Sequence, residues 1–492
     1  MDRFQMYIGG EWCDSDAGEW FETQNPYTGK VWAEVARGRA ADADRAAQAA
    51  HRAFTSSDWT NFTPTQRGAI LRKVGDLLTE RAEHLADCEV RDNGKLKVEM
   101  LGQLRYLPQW YYYYGGLADK IEGAVIPTDK PGIFNYTLRE PLGVCVAITA
   151  WNSPLLLATW KIAPALAAGN TIVIKPSEFT PTSTLEFVKV FEDAGMPPGV
   201  VNVVTGFGVE AGQPLVEHPL VAKVGFTGSV LTGSKVYQTA AKGIKKVSLE
   251  LGGKSPNIVF EDANLDNAVK GAVAGIFAAT GQTCIAGSRL LLQESIHDEF
   301  VDRLIDFAKT ARMGDPMDLE TQVGPVTTPP QYEKILGYID VAKGEGAHLA
   351  LGGGPAKRPE CGDGWFIEPT IFTGVDNAMR IAQEEVFGPV LSVIPFKDDE
   401  DAIRIGNDVT FGLAAGVWTQ NLNRAHLMAK RLQAGTVWVN TYRAVSFTSP
   451  FGGYKNSGLG RESGQDMILD YMQTKSVWID TNAEFPNPFA MR

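Results

Sequence analysis

The spacing of hydrophobic positions changes at about residue 120 of the chain. Between residues 40 and 120, apolar residues recur at helical spacing, which predicts helices over residues 41–53, 66–89 and 110–114. From residue 143 onward, short runs rich in β-branched residues alternate with helical stretches. This alternation predicts parallel strands joined by crossover helices, so we expect an α/β protein with a doubly wound sheet.

The alternating region contains two series of predicted elements, separated near Gly252. Thr180 is the expected N-cap of one helix in the first series, and Gly195 is its expected end. Because 492 residues exceed what one hydrophobic core normally organises, we expect two or three domains. The first series comprises strands at 143–148, 171–174, 201–204 and 223–226 and helices at 155–168, 181–195 and 231–242. The second comprises strands at 257–260, 290–293 and 435–440 and helices at 265–280 and 297–312.

Two extended segments, residues 133–138 and 475–480, belong to neither series. An isolated strand leaves a row of backbone hydrogen-bonding groups unpaired, and such strands often pair outside their own domain. We therefore expect these segments to pair with another part of the assembly, including a second subunit.

Composition and charge argue against several classes of function. Hydrophobic residues make up 44% and charged residues 21% of the chain, as in ordinary globular proteins. The formal net charge of −12 argues against a nucleic-acid-binding protein and against docking on anionic lipid. The first residues contain no apolar signal core, and no stretch approaches the roughly 18 apolar residues of a membrane span. We expect a cytoplasmic protein without nucleic-acid or membrane partners.

The five cysteines indicate neither a disulfide framework nor a metal site. They are scattered without a C-x-x-C pair, and the six histidines do not cluster with them, which predicts no metal and favours a reducing compartment. Cys284 differs from the others because it lies in a loop, GQTCI at 281–285, just beyond a predicted helix. A thiolate there could act as a nucleophile, whereas a buried structural thiol is the alternative for any single cysteine.

Glu250 and Asn152 could supply further groups for covalent catalysis. Glu250 ends a predicted strand between Leu249 and Leu251, and partial burial there would raise its pKa toward that of a general base. Asn152 follows the strand that ends at Ile148, and its amide could donate a hydrogen bond to an oxyanion. The alternatives are a solvated strand-end charge for Glu250 and a helix cap or turn for Asn152.

Two strand ends could hold a phosphate and a ribose. Residues 226–233, FTGSVLTG, form a glycine turn that opens a predicted helix, which suits a pyrophosphate. The spacing of this turn is neither the dinucleotide fingerprint nor a P-loop. Residues 175–178, KPSE, follow another strand of the same predicted sheet, where Lys175 and Glu178 could reach ribose hydroxyls. A charged loop at a strand end is the alternative.

Seven segments, in order along nearly the whole chain, resemble the motifs of the aldehyde dehydrogenase superfamily. The resemblance implies a Rossmann-type parallel-sheet cofactor domain, an α/β catalytic domain and a β-arm for oligomerisation. The segments are WN at 151–152, KPSE at 175–178, FTGS at 226–229 with Gly233, ELGGK at 250–254, GQTC at 281–284, EEVFGP at 384–389, and PFGG with SGLGRE at 450–453 and 457–462.

The resemblance also implies domain boundaries and an oligomer. Residues 1–120 and 142–251 would form the NAD-binding domain, and residues 252–450 the catalytic domain. Residues 121–141 and 465–485 would form the oligomerisation arm. An arm of this kind implies a homodimer or a homotetramer.

A mechanism follows from the resemblance. Cys284 would attack the aldehyde carbon, and the amide of Asn152 and the backbone N–H of Cys284 would hold the oxyanion. Hydride would pass to nicotinamide, and water activated by Glu250 would hydrolyse the resulting thioester. Because coenzyme A-acylating relatives usually lack this glutamate, Glu250 favours water as the acceptor. The alternatives are a coenzyme A-acylating semialdehyde dehydrogenase and a non-catalytic structural relative.

NAD is the cofactor that the resemblance implies. Lys175 and Glu178 would bind the adenosine ribose, Ser229 would lie beside the pyrophosphate, Glu385 would hold the nicotinamide ribose and Phe387 would pack near the ring. A carboxylate at Glu178 would repel a 2′-phosphate, so we expect NAD in preference to NADP, which stays a weaker alternative. The other implied cofactor-binding residues are Trp151, Ser177, Gly228, Gly233, Leu251 and Gly252.

The resemblance further implies a substrate pocket. Trp160 and Phe451 suggest an apolar wall that tolerates aromatic groups. Arg443 could meet a carboxylate or polar tail of the substrate, or lie solvated at the mouth of the pocket. The tyrosines at 111–114 could line the pocket or fill a domain boundary. The implied lining residues are Tyr112, Ser153, Leu157, Trp160, Thr283, Ile285, Arg443, Val445 and Phe451.

Overall fold

The computed structural model describes residues 1–482 together with Asn487 and Phe489. In this part of the chain no helix is long and apolar enough to cross a membrane. The longer helices are Ala40–Ser56, Pro64–Asn93, Lys97–Tyr106, Pro108–Leu117, Pro154–Ala167, Thr182–Ala194, Val230–Lys242, Leu265–Ile276, His297–Ala308, Pro329–Gly344, Asp399–Asn407 and Leu422–Arg431. The shorter α-helices are Asp58–Asn61, Gln213–Glu217, Arg380–Gln383 and Met467–Asp470.

The first large sheet contains five parallel strands at its centre. Counted along the chain from Val144–Ile148, they lie side by side in the order 3-2-1-4-5. The order reverses between Val144–Ile148 and Val221–Thr227, and such sheets bind ligands outside the carboxyl ends of the strands at that point. From edge to edge the described strands are Gly458–Leu459, Lys246–Glu250, Val221–Thr227, Val144–Ile148, Thr171–Lys175, Val201–Val203, Met6–Ile8 and Glu11–Cys13.

The second large sheet is built from residues that follow Gly252. Its strands are parallel except for the edge strand His348–Leu351, which pairs antiparallel with its neighbour. The inner strands are largely buried, as expected for a parallel sheet with both faces covered, whereas the edge strands His348–Leu351 and Thr436–Val439 are mostly half-buried. Across the described chain their order is His348–Leu351, Thr370–Thr373, Val390–Phe396, Arg289–Gln293, Pro256–Val259, Ala414–Trp418 and Thr436–Val439.

The two extended segments outside both series pair with each other. Strand Ile133–Pro141 runs antiparallel to Met472–Asp480 along its whole length, and Val125–Ile126 adds a third strand. Most side chains of Met472–Asp480 are exposed. Pairing of this arm with a second subunit stays a prediction, and residues 483–485 of the expected arm lie outside the described residues.

Smaller sheets complete the described fold. Strands Asp2–Phe4, Trp20–Asn25 and Lys30–Ala36 form an N-terminal sheet, and Phe411–Gly412 pairs with Tyr454–Lys455. The sequence pattern did not predict the N-terminal strands. They are short, and Met6–Ile8 is held by a single antiparallel pairing of Tyr7 with Val203 and by its hairpin partner.

The α/β class and both series of strands and helices are confirmed, with three local corrections. The helix predicted over 297–312 ends at Ala308. The predicted N-cap at Thr180 is wrong, because the helix begins at Thr182 with Pro181 as its N-cap. The hydroxyl of Thr180 instead donates to the carbonyl oxygen of Trp151 at 3.2 Å. The helix predicted over 265–280 ends at Ile276, since the chain then turns into the loop that carries Cys284.

Candidate active site

Cys284 follows a stretch of backbone in an unusual conformation. Ala279, Thr280 and Gly281 adopt left-handed φ angles of 54°, 53° and 68°. A Cβ atom at position 281 would also clash with the carbonyl oxygen of Gly388, so this position requires glycine for its space as well as its φ angle. Non-glycine residues in this region are strained, and strain of this kind clusters at functional sites.

Gln282 holds the loop in place and connects it to Asn152. Its buried side chain donates from Nε2 to the carbonyl oxygen of Pro325 at 3.2 Å and accepts at Oε1 from the N–H of Thr327 at 2.9 Å. The carbonyl oxygen of Gln282 accepts a hydrogen bond of 3.0 Å from Asn152 Nδ2. Because a primary amide carries two N–H groups, Asn152 keeps a second donor, in the same cavity wall as Cys284.

The first sheet positions both Asn152 and Glu250. Asn152 lies just after strand Val144–Ile148, and Glu250 is the last residue of Lys246–Glu250. Parallel strands end at the same edge of a sheet, so the two residues lie along one edge. A Cβ atom at Gly253 would clash with the carbonyl oxygen of Cys284, which shows that the segment after Glu250 passes directly against the cysteine backbone.

The carboxylate of Glu250 is buried and has no hydrogen-bond partner among the described residues. Burial raises the pKa of Glu250 well above its ordinary value, the negative charge of Glu462 raises it further, and Lys161 opposes this. A raised pKa makes the carboxylate a stronger base, which favours proton transfer from water.

A buried ion pair accompanies Glu250. Lys161 Nζ donates to Glu462 Oε1 at 2.9 Å and to Thr227 Oγ1 at 2.7 Å, and the side chains of Lys161 and Glu462 are fully buried. Burial raises the pKa of Glu462, and the ammonium of Lys161 is the main opposing influence. The charge state of this pair is therefore coupled to that of Glu250.

The Cys284 thiol is protonated in the resting protein. Burial, with the negative charges of Glu250 and Glu385, raises the pKa of Cys284 to about 12, and Lys95 opposes this rise. A thiolate must form before the sulfur becomes a strong nucleophile. The thiol must therefore lose its proton before the sulfur attacks a carbonyl carbon.

A cavity of about 500 Å³ opens onto Cys284. Eight of the nine predicted substrate-pocket residues line it together with the catalytic candidates Asn152 and Cys284. Trp160 packs against Phe451 with ring centroids 5.0 Å apart, which forms the expected apolar wall. The eight predicted residues are Ser153, Leu157, Trp160, Thr283, Ile285, Arg443, Val445 and Phe451.

Tyr112 lies elsewhere, against the prediction. Its hydroxyl donates to Asp76 Oδ1 at 2.8 Å, and its ring packs against Gly75 of helix Pro64–Asn93. Trp110 lines the cavity instead, because residues two apart on a helix face different sides.

A second cavity of about 790 Å³ lies at the carboxyl edge of the first sheet. It occupies the point where the strand order reverses, between the ends of Val144–Ile148 and Val221–Thr227. Trp151 lines this cavity and Asn152 lines the other, so the two spaces adjoin at these consecutive residues. The predicted cofactor residues in its wall are Trp151, Lys175, Ser177, Glu178, Gly228 and Ser229.

The second cavity carries groups that suit a ribose and a phosphate. Lys175 Nζ is buried and lies 3.3 Å from Glu178 Oε2, and such a pair can donate to and accept from neighbouring hydroxyls. Ser229 is the N-cap of helix Val230–Lys242, and its Oγ accepts from the N–H of Thr232 at 3.2 Å. The positive end of this helix dipole faces the cavity, which favours an anion there.

Glu385 and Phe387 contact residues next to the cavities and do not themselves line either one. Glu385 Oε1 accepts from the N–H of Gly253 at 3.0 Å, and a Cβ atom at Gly252 would clash with this carboxylate. Phe387 has a left-handed φ of 60° and packs edge-on against Trp151 with ring centroids 5.2 Å apart.

Gly233 and Leu251 contact each other and do not line the cofactor cavity. A Cβ atom at Gly233 would clash with Leu251, so the glycine lets helix Val230–Lys242 approach the end of the sheet closely. Both residues therefore support the wall of the cofactor cavity without lining it.

Sequence reasoning missed part of each cavity. Lys95, Glu99 and Gln103 line the substrate cavity from helix Lys97–Tyr106 and the turn before it, where the sequence has no catalytic motif. Phe207 lines the cofactor cavity after strand Val201–Val203, and its neighbour Gly206 was the available signal of a strand-end turn. Among the described residues no cluster of three His, Cys, Asp or Glu side chains could hold a metal ion.

The fold and the site together define a dehydrogenase of the aldehyde-oxidising class. A family model described as the aldehyde dehydrogenase family matches residues 12–477. The chain belongs to this family. The (Z)-2-((N-methylformamido)methylene)-5-hydroxybutyrolactone dehydrogenase of Acinetobacter baylyi is 46% identical to it over 495 residues, with 100% of each chain covered. The mitochondrial aldehyde dehydrogenase of Homo sapiens is 45% identical, with 96% of this chain and 92% of that protein covered.

Solved structures of related proteins share this fold. The betaine aldehyde dehydrogenase of Staphylococcus aureus in complex with NAD+ has a TM-score of 0.97 and 41% identity, covering 99% of this chain and 97% of that chain. The NAD+ complex of the aldehyde dehydrogenase from Bacillus cereus has a TM-score of 0.95 and 44% identity, covering 97% of each chain.

Proposed function

We propose that the protein oxidises an aldehyde to the carboxylic acid, with NAD as the hydride acceptor and water as the acyl acceptor. The observation that carries this proposal is the position of Cys284 in the substrate cavity, next to the junction with the cofactor cavity at Trp151 and Asn152. Production of NADH and of carboxylic acid in equal amounts from a panel of aldehydes, without coenzyme A, tests it.

In the first step, the Cys284 thiol loses its proton to solvent water in the cavity. The sulfur then bonds to the carbonyl carbon, and the π electrons of the carbonyl move to its oxygen. The free N–H of the Asn152 amide and the backbone N–H of Cys284 donate to this oxyanion. Donors that are already oriented stabilise the developing charge at little reorganisation cost.

In the second step, the oxyanion collapses and the carbon loses a hydride, which leaves a thioester on Cys284. Bound NAD supplies the acceptor for this hydride. Glu250 then takes a proton from water, whose oxygen attacks the thioester carbon, and the Cys284 thiolate leaves. The unpartnered, buried carboxylate of Glu250 supports water, rather than coenzyme A, as the acceptor.

NAD fits the second cavity through residues of this chain. Lys175 and Glu178 would bind the hydroxyls of the adenosine ribose, and the N-terminus of the helix capped by Ser229 would hold the pyrophosphate. Glu385 would hold the nicotinamide ribose and Phe387 would pack near the ring. The negative charge of Glu178 disfavours the 2′-phosphate of NADP.

Two structural roles belong to the same proposal. Residues 1–120 and 142–251 form the NAD-binding domain, and 252–450 the catalytic domain, because the two large sheets divide near Gly252. The described arm strands expose Phe134, Leu138, Trp478 and Ile479, and an apolar surface of this kind supports a homodimer or homotetramer. Light scattering should give the mass of two or four chains, and a monomer would contradict this part.

A further inference from the structure

We infer that the substrate of this site is an aldehyde with a carboxylate tail, which Lys95 and Arg443 recognise. The inference rests on the proposed function, because it concerns the cavity that opens onto Cys284. Both cationic side chains line that cavity. Lys95 belongs to no motif that the sequence indicated, and the structure alone brings it beside Arg443.

Lys95 is a buried cation whose hydrogen-bonding capacity is largely unused. It is 5% exposed, and its Nζ donates to Ser153 Oγ at 2.8 Å. Within the described residues no carboxylate lies within 4.0 Å of this ammonium. Because an ammonium has three N–H donors, two remain for a ligand in the cavity. A buried charge without a carboxylate in direct contact is costly, so an anionic group that contacts this ammonium gains binding.

The turn that carries Lys95 is rigid. Gly94 has a left-handed φ of 72° at the end of helix Pro64–Asn93, and the N–H of Lys95 donates to Asn93 Oδ1 at 2.9 Å. The carbonyl oxygen of Asn93 accepts from the hydroxyl of Thr327. The ammonium is therefore held in the cavity wall rather than carried on a mobile surface side chain.

Arg443 adds a second cation on a constrained backbone. Its φ of 64° is left-handed, which is uncommon for a residue with a long side chain and is typical of functional positions. Its Nη1 donates to the carbonyl oxygen of Ala274 at 3.3 Å, and the remaining guanidinium N–H groups can face the cavity. A guanidinium offers a carboxylate two parallel hydrogen bonds, which point charges cannot.

Glu99 is the acidic residue of this cavity wall and partly offsets the two cations. Its Oε1 accepts from the N–H of Ala279 at 2.8 Å, and its Oε2 is buried without a partner. Two cations and one carboxylate leave the wall with net positive charge. Burial lowers the pKa of Lys95 to about 8, opposed first by Glu99, so the ammonium is the main form at pH 7. A cationic aldehyde would meet like charge here.

The test compares three aldehydes that differ in the charge of their tail. These are 4-oxobutanoate, its neutral methyl ester, and betaine aldehyde with its quaternary ammonium group. We expect the wild-type kcat/KM to be about tenfold higher for 4-oxobutanoate than for the ester, and lowest for betaine aldehyde. Equal values for the acid and the ester, or a preference for betaine aldehyde, would overturn the inference.

Variants identify the residues that recognise the carboxylate. Arg443→Leu and Lys95→Met should each reduce the acid-to-ester ratio of kcat/KM by about tenfold, mainly through KM for the acid. Arg105→Leu is the matched control, because Arg105 is an exposed cation on helix Lys97–Tyr106 and does not line the cavity. Its acid-to-ester ratio should stay at the wild-type value. If thermal melting shows that Lys95→Met is not folded, the acid-to-ester ratio of kcat/KM in Arg443→Leu alone tests the inference.

The outcomes separate this inference from the proposed function. Turnover of the ester with an unchanged ratio in Arg443→Leu contradicts recognition by Arg443 but leaves aldehyde oxidation intact. Failure of the wild-type protein to reduce NAD with any of the three aldehydes contradicts the proposed function, and the inference with it.

Discussion

The ammonium of Lys161 lies 2.9 Å from Glu462 Oε1, and both side chains are completely buried. A buried ion pair is stable only while both partners stay charged and hydrogen-bonded, and here Thr227 supplies a further partner to Lys161. Glu462 raises the pKa of Glu250, whereas Lys161 lowers it. The pair therefore shifts the pKa of Glu250 in addition to the larger effect of burial.

Glu462→Gln should change both stability and pH dependence. It leaves Lys161 as a buried charge without a carboxylate, which should lower the free energy of unfolding by about 3–5 kcal/mol in denaturant titrations. It also removes the negative charge that raises the pKa of Glu250. Since the carboxylate form of Glu250 is the base and exists above its pKa, the rising limb of the pH–rate profile should move to lower pH.

An exposed ion pair provides the control for this variant. Glu299→Gln removes the contact of Glu299 with Arg303, and both side chains are about half exposed. Exposed pairs contribute little to stability, so unfolding and the pH–rate profile should stay close to wild type. A Glu462→Gln profile that coincides with the wild-type profile would show that the pair does not act on Glu250.

Gly281→Ala should displace the nucleophile. The new Cβ atom would clash with the carbonyl oxygen of Gly388 at a left-handed φ, so we expect a loss of more than about 1 kcal/mol in stability and a fall in kcat of at least about tenfold. The control is Gly116→Ala, at an exposed helical position with open space, which should leave activity unchanged and stability equal or higher. Wild-type kcat in Gly281→Ala would refute the role assigned to this loop.

Glu178→Gln should weaken the discrimination between cofactors. Removing the charge abolishes repulsion of a 2′-phosphate and one acceptor for ribose hydroxyls, so the NAD-to-NADP ratio of kcat/KM should fall by about tenfold. Glu360→Gln, at an exposed carboxylate that lines neither cavity, is the control. If the ratio does not change, Lys175 and Glu178 do not contact the adenosine ribose as proposed.

The sequence predicted those parts of the fold in which periodicity and burial agree. Strand Thr171–Lys175 and helix Val230–Lys242 are long enough for their hydrophobic spacing to be read, and both lie within one residue of the predicted bounds. Strands Met6–Ile8 and Glu11–Cys13 have three residues each, too few for a period, and they exist through pairing with the edge of the parallel sheet.

The residues of the site likewise fall into a group that the sequence predicts and a group that it does not. Cys284, Asn152 and Glu250 belong to motifs that follow strand or helix ends, so their neighbourhood could be inferred. Lys95 could not, because a lysine after Asn-Gly is typical of an exposed turn, and its burial depends on Ser153 from a distant segment. The prediction that Tyr112 lines the substrate pocket was wrong, because a run of aromatic residues does not indicate which of them face the cavity.

The most direct test of hydrolysis by Glu250-activated water is whether the acyl group stays on Cys284 in the Glu250→Gln variant. We expect one equivalent of NADH per active site and then arrest, with a thioester on Cys284 that intact-protein mass spectrometry detects as the mass of the acyl group. Because an amide avoids the cost of ionising a buried carboxyl group, this variant should also unfold at a higher temperature than wild type at alkaline pH, and the difference should shrink as the pH falls. Cys284→Ala should give no NADH and no adduct. Continued turnover by Glu250→Gln at the wild-type rate would contradict hydrolysis by Glu250-activated water.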